Sequence, residues 1–210
     1  MRHTTTRVDV TFDRYLGQQS IKSSTRTKRT AKRRPVRKLI QGPEVPLPQV
    51  WTQFIALEDN KADLATYLSE KLLQKAESLA GNCEVVAGGG FPDPVNTKSS
   101  KRDVTDLSAN HEEADTRLIL HGKDAIQNGY KRVIVICRDT DVLLLLLYHL
   151  GRTGAEIWMV SGTSKQKKCY PVHIIASKLN DDTLENILGF HAMTGCDTTS
   201  SFSGIGKKTC

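Results

Sequence analysis

The stretch Arg132-Val-Ile-Val-Ile-Cys137-Arg-Asp139-Thr-Asp141-Val142, continuing through five leucines (Leu143 to Leu147) into Tyr148-His149-Leu150, decides the fold class. Val133 to Cys137 is a continuous apolar run of strand length, rich in β-branched residues, and Val142 to Leu150 is an apolar run of helical length. A buried strand feeding a buried helix is the repeating unit of a parallel sheet covered by helices on both faces. Asp139 and Asp141 fall between the two runs, at the carboxyl end of the strand, which is where open parallel sheets bind their ligands. Residues i and i+2 of an extended segment project to the same side, so these two carboxylates are expected to converge on one cation.

Working outward, Glu113 to Gln127 carries a helical apolar face of Ala114, Leu118, His121 and Ala125, with Gly129 placed to end the helix. Ile157 to Val160 reads as a second buried strand and Asp181 to Met193 as a last helix before a glycine-rich end, which completes a β-α-β alternation. Glu113 and Asp115 would diverge by about 200° within a regular helix and converge only if Glu113 sits at its start. Toward the beginning, Val8 to Phe12 alternates as a short strand that ends at Asp13. Pro43, Pro46 and Pro48 mark a linker, after which Ala65, Leu68, Leu72, Ala76 and Leu79 recur at helical spacing behind Asn60 as an N-cap. Cys83 to Ala87 is a further strand. Gly88-Gly89-Gly90 follows it without a phosphate-loop or dinucleotide fingerprint and reads as a flexible connection, and residues 91–110 are turn-rich and polar.

At 210 residues and 38% hydrophobic content the chain suits one α/β domain with a real core. No run approaches the roughly 20 consecutive apolar residues of a membrane span, and no signal peptide opens the chain. Five scattered cysteines without a CxxC pair suggest neither a disulfide framework nor a zinc site, and fit a reducing intracellular compartment. A zinc set of Cys169, His173, His191 and Cys196 lacks tight spacing, and His191 is expected as a helix residue beside the core. The net charge of +7 is uneven: residues 1–40 hold twelve Lys/Arg against two Asp, and the rest hold eighteen against twenty-one Asp/Glu. A basic module of this kind favours a polyanionic partner, nucleic acid being the commonest, or carries a nuclear-import signal at Lys28 to Arg34.

Asp13, Glu113, Asp115, Asp139, Asp141 and Asp197 would together make an oxygen-rich site. Hard oxygen ligands suit magnesium or manganese, and clustered carboxylates repel one another unless a cation neutralises them. The competing reading is that these residues cap helices and turns, where Asp is common.

Taken in order, the motifs resemble those of the flap endonuclease/XPG-type (PIN-like) nucleases. His111-Glu-Glu-Ala-Asp-Thr-Arg resembles the family's Glu-Ala-Glu-Ala segment, and Arg138-Asp-Thr-Asp-Val its following Asp-x-Asp. Thr194-Gly-Cys-Asp-Thr resembles its Gly-Ser-Asp-Tyr, and Ser203-Gly-Ile-Gly-Lys-Lys its Gly-Ile-Gly-Pro-Lys. Phe12-Asp13 resembles the family's Phe-Asp-Gly strand end, while Ile21-Lys22-Ser23 with Lys28-Arg29 resembles elements of its helical arch. The strings around His111, Asp139 and His191 resemble an uncharacterised branch of flap-endonuclease-like proteins in animal genomes. The likeness spans residues 8–34 and 111–209.

The resemblance implies a Rossmann-like α/β fold with a central, mostly parallel sheet flanked by helices, here incomplete at both ends. It implies residues 1–40 as a strand end plus arch-like segment, 41–110 as linker, helix and insertion, and 111–210 as the acidic core with the start of a duplex-binding turn. Two magnesium (or manganese) ions would be held by Asp13, Glu113, Asp115, Asp139, Asp141 and Asp197, activating water for attack on a phosphodiester. Lys22 and Arg29 would serve catalysis by reaching the scissile phosphate, and Lys22, Arg26, Arg29, Gly204, Gly206, Lys207 and Lys208 would contact nucleic acid, expected to be branched or flapped DNA. The expected protein is a nuclear monomer. The chain departs from the family pattern in starting after the strand that supplies its first metal-binding Asp, in Arg14 for Gly, Thr198 for an aromatic residue and Lys207 for Pro, and in ending at Cys210. A catalytically inactive nucleic-acid-binding relative or gene fragment is therefore the alternative, with DNA bound better than it is cut.

Overall fold

A computed structural model describes residues 5–15, 34–78, 83–163, 165–196 and 199. The described chain is mixed α/β and divides into two compact units, Met1–Arg117 and Leu118–Cys210. The elements in order are β1 (Arg7–Thr11), α1 (Trp51–Phe54), α2 (Glu58–Ser78), β2 (Glu84–Gly88), β3 (Thr97–Ser99), α3 (Ala114–Gln127), β4 (Arg132–Ile136), α4 (Thr140–Leu150), β5 (Glu156–Gly162), β6 (Lys167–Pro171), α5 (Val172–Lys178) and α6 (Asp181–Met193).

In the first unit β1 pairs parallel with β2, Arg7 opposite Glu84 through Thr11 opposite Gly88, and β3 pairs antiparallel on the other side of β2. Val86 and Ala87 are wholly buried, as is Phe54 of α1. The glycines after β2 are not a flexible connection. Gly89 and Gly90 are buried with φ of 76° and 66°, the left-handed region that glycine enters without a side-chain clash. A Cβ on Gly90 would stand 2.5 Å from Ser69 Oγ and 2.9 Å from the Ala65 carbonyl oxygen, so the turn lies directly against α2. That close approach explains which face of α2 is buried. Ala65 and Ser69 face inward, whereas Leu68 and Leu72, part of the predicted apolar face, are exposed. Asn60 is not a cap either: it lies inside α2, fully buried, and its Nδ2 donates to the Val36 and Phe54 carbonyls at 2.7 Å. Its Oδ1 accepts from the Lys38 amide, which ties residues 36–38 to the helix.

In the second unit β4 pairs parallel with β5, Arg132 opposite Glu156 through Ile136 opposite Val160, and β6 returns antiparallel to β5. Val142, Leu146 and Leu150, spaced four apart on α4, are completely buried against Ile157 and Met159 of β5 and Val172 and Ala176 of α5. Both sheets are thus mixed, each with one parallel and one antiparallel pair, and the described strands do not form the expected single, mostly parallel sheet. The physical reason is the hairpin after β5. Gly162, at φ 97°, lets Thr163 and Gln166 exchange backbone hydrogen bonds, so the chain turns straight back instead of crossing over through a helix. β4 is the edge of its sheet. Val135 is buried on one face, but Ile134 and Ile136 on the other are 56% and 82% exposed, where the apolar run predicted burial on both faces.

The predicted helix Asp181 to Met193 matches α6, with Asn180 accepting from the Thr183 amide as N-cap. Gly129 ends α3 as expected, at φ 85°, with Tyr130 donating to the Ala125 carbonyl in a Schellman-type closure. Among the described residues no helix is long and apolar enough to cross a membrane.

Candidate functional site

The first unit gathers Asp13 and the start of α3. β1 ends at Thr11, the Phe12 amide continues the ladder by donating to Gly88, and Asp13 then turns its carboxylate onto the helix start, where Oδ1 accepts from the Ala114 amide at 2.9 Å. The next residue reinforces the contact: the Arg14 amide donates to the Glu112 carbonyl at 2.7 Å. Glu113 lies just ahead of α3, outside regular helical geometry, and Asp115 is in the first turn. This placement meets the condition under which Glu113 and Asp115 can aim at one point.

The residue that sequence reasoning missed here is Arg117. It is the largest fully buried side chain, although it is a cation. Its Nη2 donates to the carbonyls of Pro94 at 2.6 Å and Ala109 at 2.8 Å, while Nε and Nη1 meet no acceptor among the described residues. Burial pushes its guanidinium below the ordinary arginine value, repulsion from Arg14 adds to this, and attraction to Asp13 opposes it. The guanidinium organises the turn-rich segment around residues 94–111, which has no apolar period of its own. The available signal is positional, since Arg117 falls one turn after Ala114 and one turn before His121 on the buried side of the helix.

The second unit gathers Asp139, Asp141 and His191. Asp139 is the N-cap of α4, and its Oδ1 accepts from the Asp141 amide at 3.0 Å. The Asp139 amide in turn donates to Cys137 Sγ at 3.4 Å. Asp141 sits in the first turn, and its Oδ2 lies 3.2 Å from Nε2 of His191, which α6 brings in with only 11% of its side chain exposed. His191 is therefore a helix residue beside the core, as expected, but one aimed at a carboxylate of the site.

Capping is thus realised at both Asp13 and Asp139, the bland alternative to metal ligation. One oxygen of each remains for other partners, because a cap uses only one. Among the described residues no group of three or more His, Cys, Asp or Glu is arranged to hold a metal ion. The donor chemistry in the second unit still fits magnesium or manganese, which commonly bind through one or two carboxylates and complete their shell with water and substrate phosphate. In the first unit the cations Arg14 and Arg117 offset the carboxylates and weaken the case for a metal at Asp13. The zinc set is not assembled: Cys169 is exposed, and His173 Nδ1 is taken by the backbone of Ile157. Lys22, Arg26, Arg29, Asp197, Gly204, Gly206, Lys207 and Lys208 lie outside the described residues.

No protein-family model, curated protein or solved structure matches the chain.

Proposed function

We propose that this chain is a metal-dependent, structure-specific nuclease of the flap endonuclease/XPG type, hydrolysing phosphodiester bonds in branched DNA within the nucleus, on a PIN-like α/β fold. The observation that carries the proposal is the pair Asp139 and Asp141 at the carboxyl end of a parallel strand, with His191 against Asp141. In this reading the two carboxylates hold a magnesium or manganese ion, whose chemistry when bound is to activate water and stabilise the leaving oxygen. His191 holds the Asp141 carboxylate in place, and the capping bond from the Asp141 amide fixes Asp139. The basic module and the Gly204 to Lys208 segment would supply sequence-independent contacts to phosphate.

A second reading, a nucleic-acid-binding relative without catalysis, is favoured by the capping role of Asp13 and by the cations Arg14 and Arg117 beside it. One experiment separates the two. The full chain is incubated with a labelled flapped DNA duplex in magnesium or manganese, alongside Asp141→Ala and Asp139→Ala. Cleavage that both substitutions abolish supports the nuclease. Binding without cleavage at saturating metal leaves the inactive relative, and cleavage indifferent to Asp141 sinks the site.

A further inference from the structure

Beside the carboxylate pair, the second unit carries a cleft of about 380 Å³ whose lining includes Ile136, Cys137, Arg138, Val160, Thr163 and Lys167. It opens at the carboxyl ends of β4 and β5, and its geometry follows from elements already described. Cys137 continues the parallel ladder by donating to the Val160 carbonyl at 3.1 Å, which carries Arg138 out over the strand ends. The hairpin at Gly162 folds Lys167 back beside Ser161 and Gly162.

The chemistry of the lining is divided. Ile136, 82% exposed, and Val160 form an apolar wall that water alone has no reason to face. The rim is cationic: Arg138 and Lys167 line the cleft, and Lys165 and Lys168 flank Lys167. Among the described residues none of these four cations makes an ion pair with a carboxylate, and residues 161–170 contain no acidic residue. Unneutralised cations over an apolar wall match a ligand that is itself divided, with an anionic phosphate joined to a flat, largely apolar ring. The volume lies in the range that small ligands occupy.

We infer that this cleft is a nucleotide-binding subsite, taking the phosphate of a nucleic-acid strand on Arg138 and Lys167 and the sugar and base of an unpaired nucleotide against Ile136 and Val160. The inference deepens the proposed function: it rests on the chain binding nucleic acid and assigns to the same strand ends a preference for single-stranded segments. A duplex keeps its bases stacked inside and cannot present one to Ile136, whereas an unpaired strand can. The basic N-terminal module is not needed for this contact.

The test is a titration of the full chain with a fluorescent oligothymidylate in EDTA, across a range of salt concentrations. Arg138→Gln with Lys167→Gln is expected to weaken binding about tenfold near 0.1 M salt and to reduce the log–log salt slope by about 0.7, the value for one phosphate contact on a single strand. Arg138→Lys with Lys167→Arg keeps the charge and keeps the slope. Ile136→Ser weakens binding without changing the slope. Thymidine monophosphate that displaces the oligonucleotide only from the unaltered chain shows that the subsite accepts a free nucleotide, and failure to displace shows that it needs a strand; both fit a nucleoside phosphate ligand. An unaltered chain that binds, but whose affinity and slope survive both the double neutralisation and Ile136→Ser, overturns the inference. Equal, Arg138-dependent binding of polyglutamate also overturns it. Because no metal is present, loss of cleavage in the flapped-DNA assay leaves this result standing, whereas an unaltered chain that binds no oligonucleotide removes the reading on which it rests.

Discussion

Asp13 and Asp139 do the same job in two different ways. Each follows a parallel strand and each caps the helix behind it, but Asp139 caps a helix that begins at the next residue, while Asp13 reaches a backbone amide 101 positions further along the chain. The local cap is exposed and has Asp141 and His191 for company. The distant one is half-buried beside two arginines, one of them wholly enclosed. The difference teaches that one residue type at one topological position can be left open to a ligand or absorbed into the packing, and that the neighbouring charges decide which.

The comparison breaks most sharply at Arg117. Replacing it by Met removes the charge-assisted hydrogen bonds of a buried guanidinium to the carbonyls of Pro94 and Ala109, and a loss of about 3 kcal/mol is expected from urea unfolding. A stability unchanged within about 0.5 kcal/mol would show that the guanidinium is tolerated there and organises nothing. The carboxylates come next. Asp13→Ala should cost about 1 to 2 kcal/mol and Asp139→Ala about 1 kcal/mol or less, with the Asn variants retaining most of the stability because an amide oxygen still caps. A larger loss at Asp139 than at Asp13 would reverse the assignment of which carboxylate is structural.

The smallest effect concerns acid. Burial holds the His149 imidazole below its ordinary value near 6.5, and Lys123 adds to the depression. The unfolded chain therefore takes up this proton more readily than the folded one, so stability is retained above about pH 6.5 and falls as pH drops below it. His149→Gln should make the decline of Tm between pH 7.5 and 5.5 shallower, and an unchanged profile would mean that other groups carry it.

The same contrast explains what could be read in advance. The second unit was legible because its signals are local: the apolar runs of β4 and α4 with the Asp-Thr-Asp string between them, Gly129 closing α3 and the helical span of α6. What was missed there, β6 and α5, follows a hairpin whose return strand opens on two lysines and shows no apolar alternation. In the first unit the decisive contacts join distant residues. Nothing near Asn60 indicates that it serves residues 36–38, nothing near Gly90 that it lies on Ser69, and the polar segment after it reads as loop because the group that orders it is an arginine on a later helix. Burial of β4 was over-read because a β-branched run does not reveal whether one face of its strand or both are covered. For the site, the sequence indicated which carboxylates stand at strand ends, and it gave no sign that α6 would bring His191 to Asp141.

The reach from Asp13 to Ala114 also sets a clock. A chain growing at roughly 5 to 20 residues per second makes β1 well before α3, and β1 waits on the order of 5 to 20 seconds before the amide that its Asp13 will cap has been made. Its partner β2 comes earlier, yet still tens of residues behind. The strand has its hydrogen-bonding groups exposed until β2 is made and its carboxylate uncapped until α3 is made, so β1 is secured later than the locally closed elements that follow it.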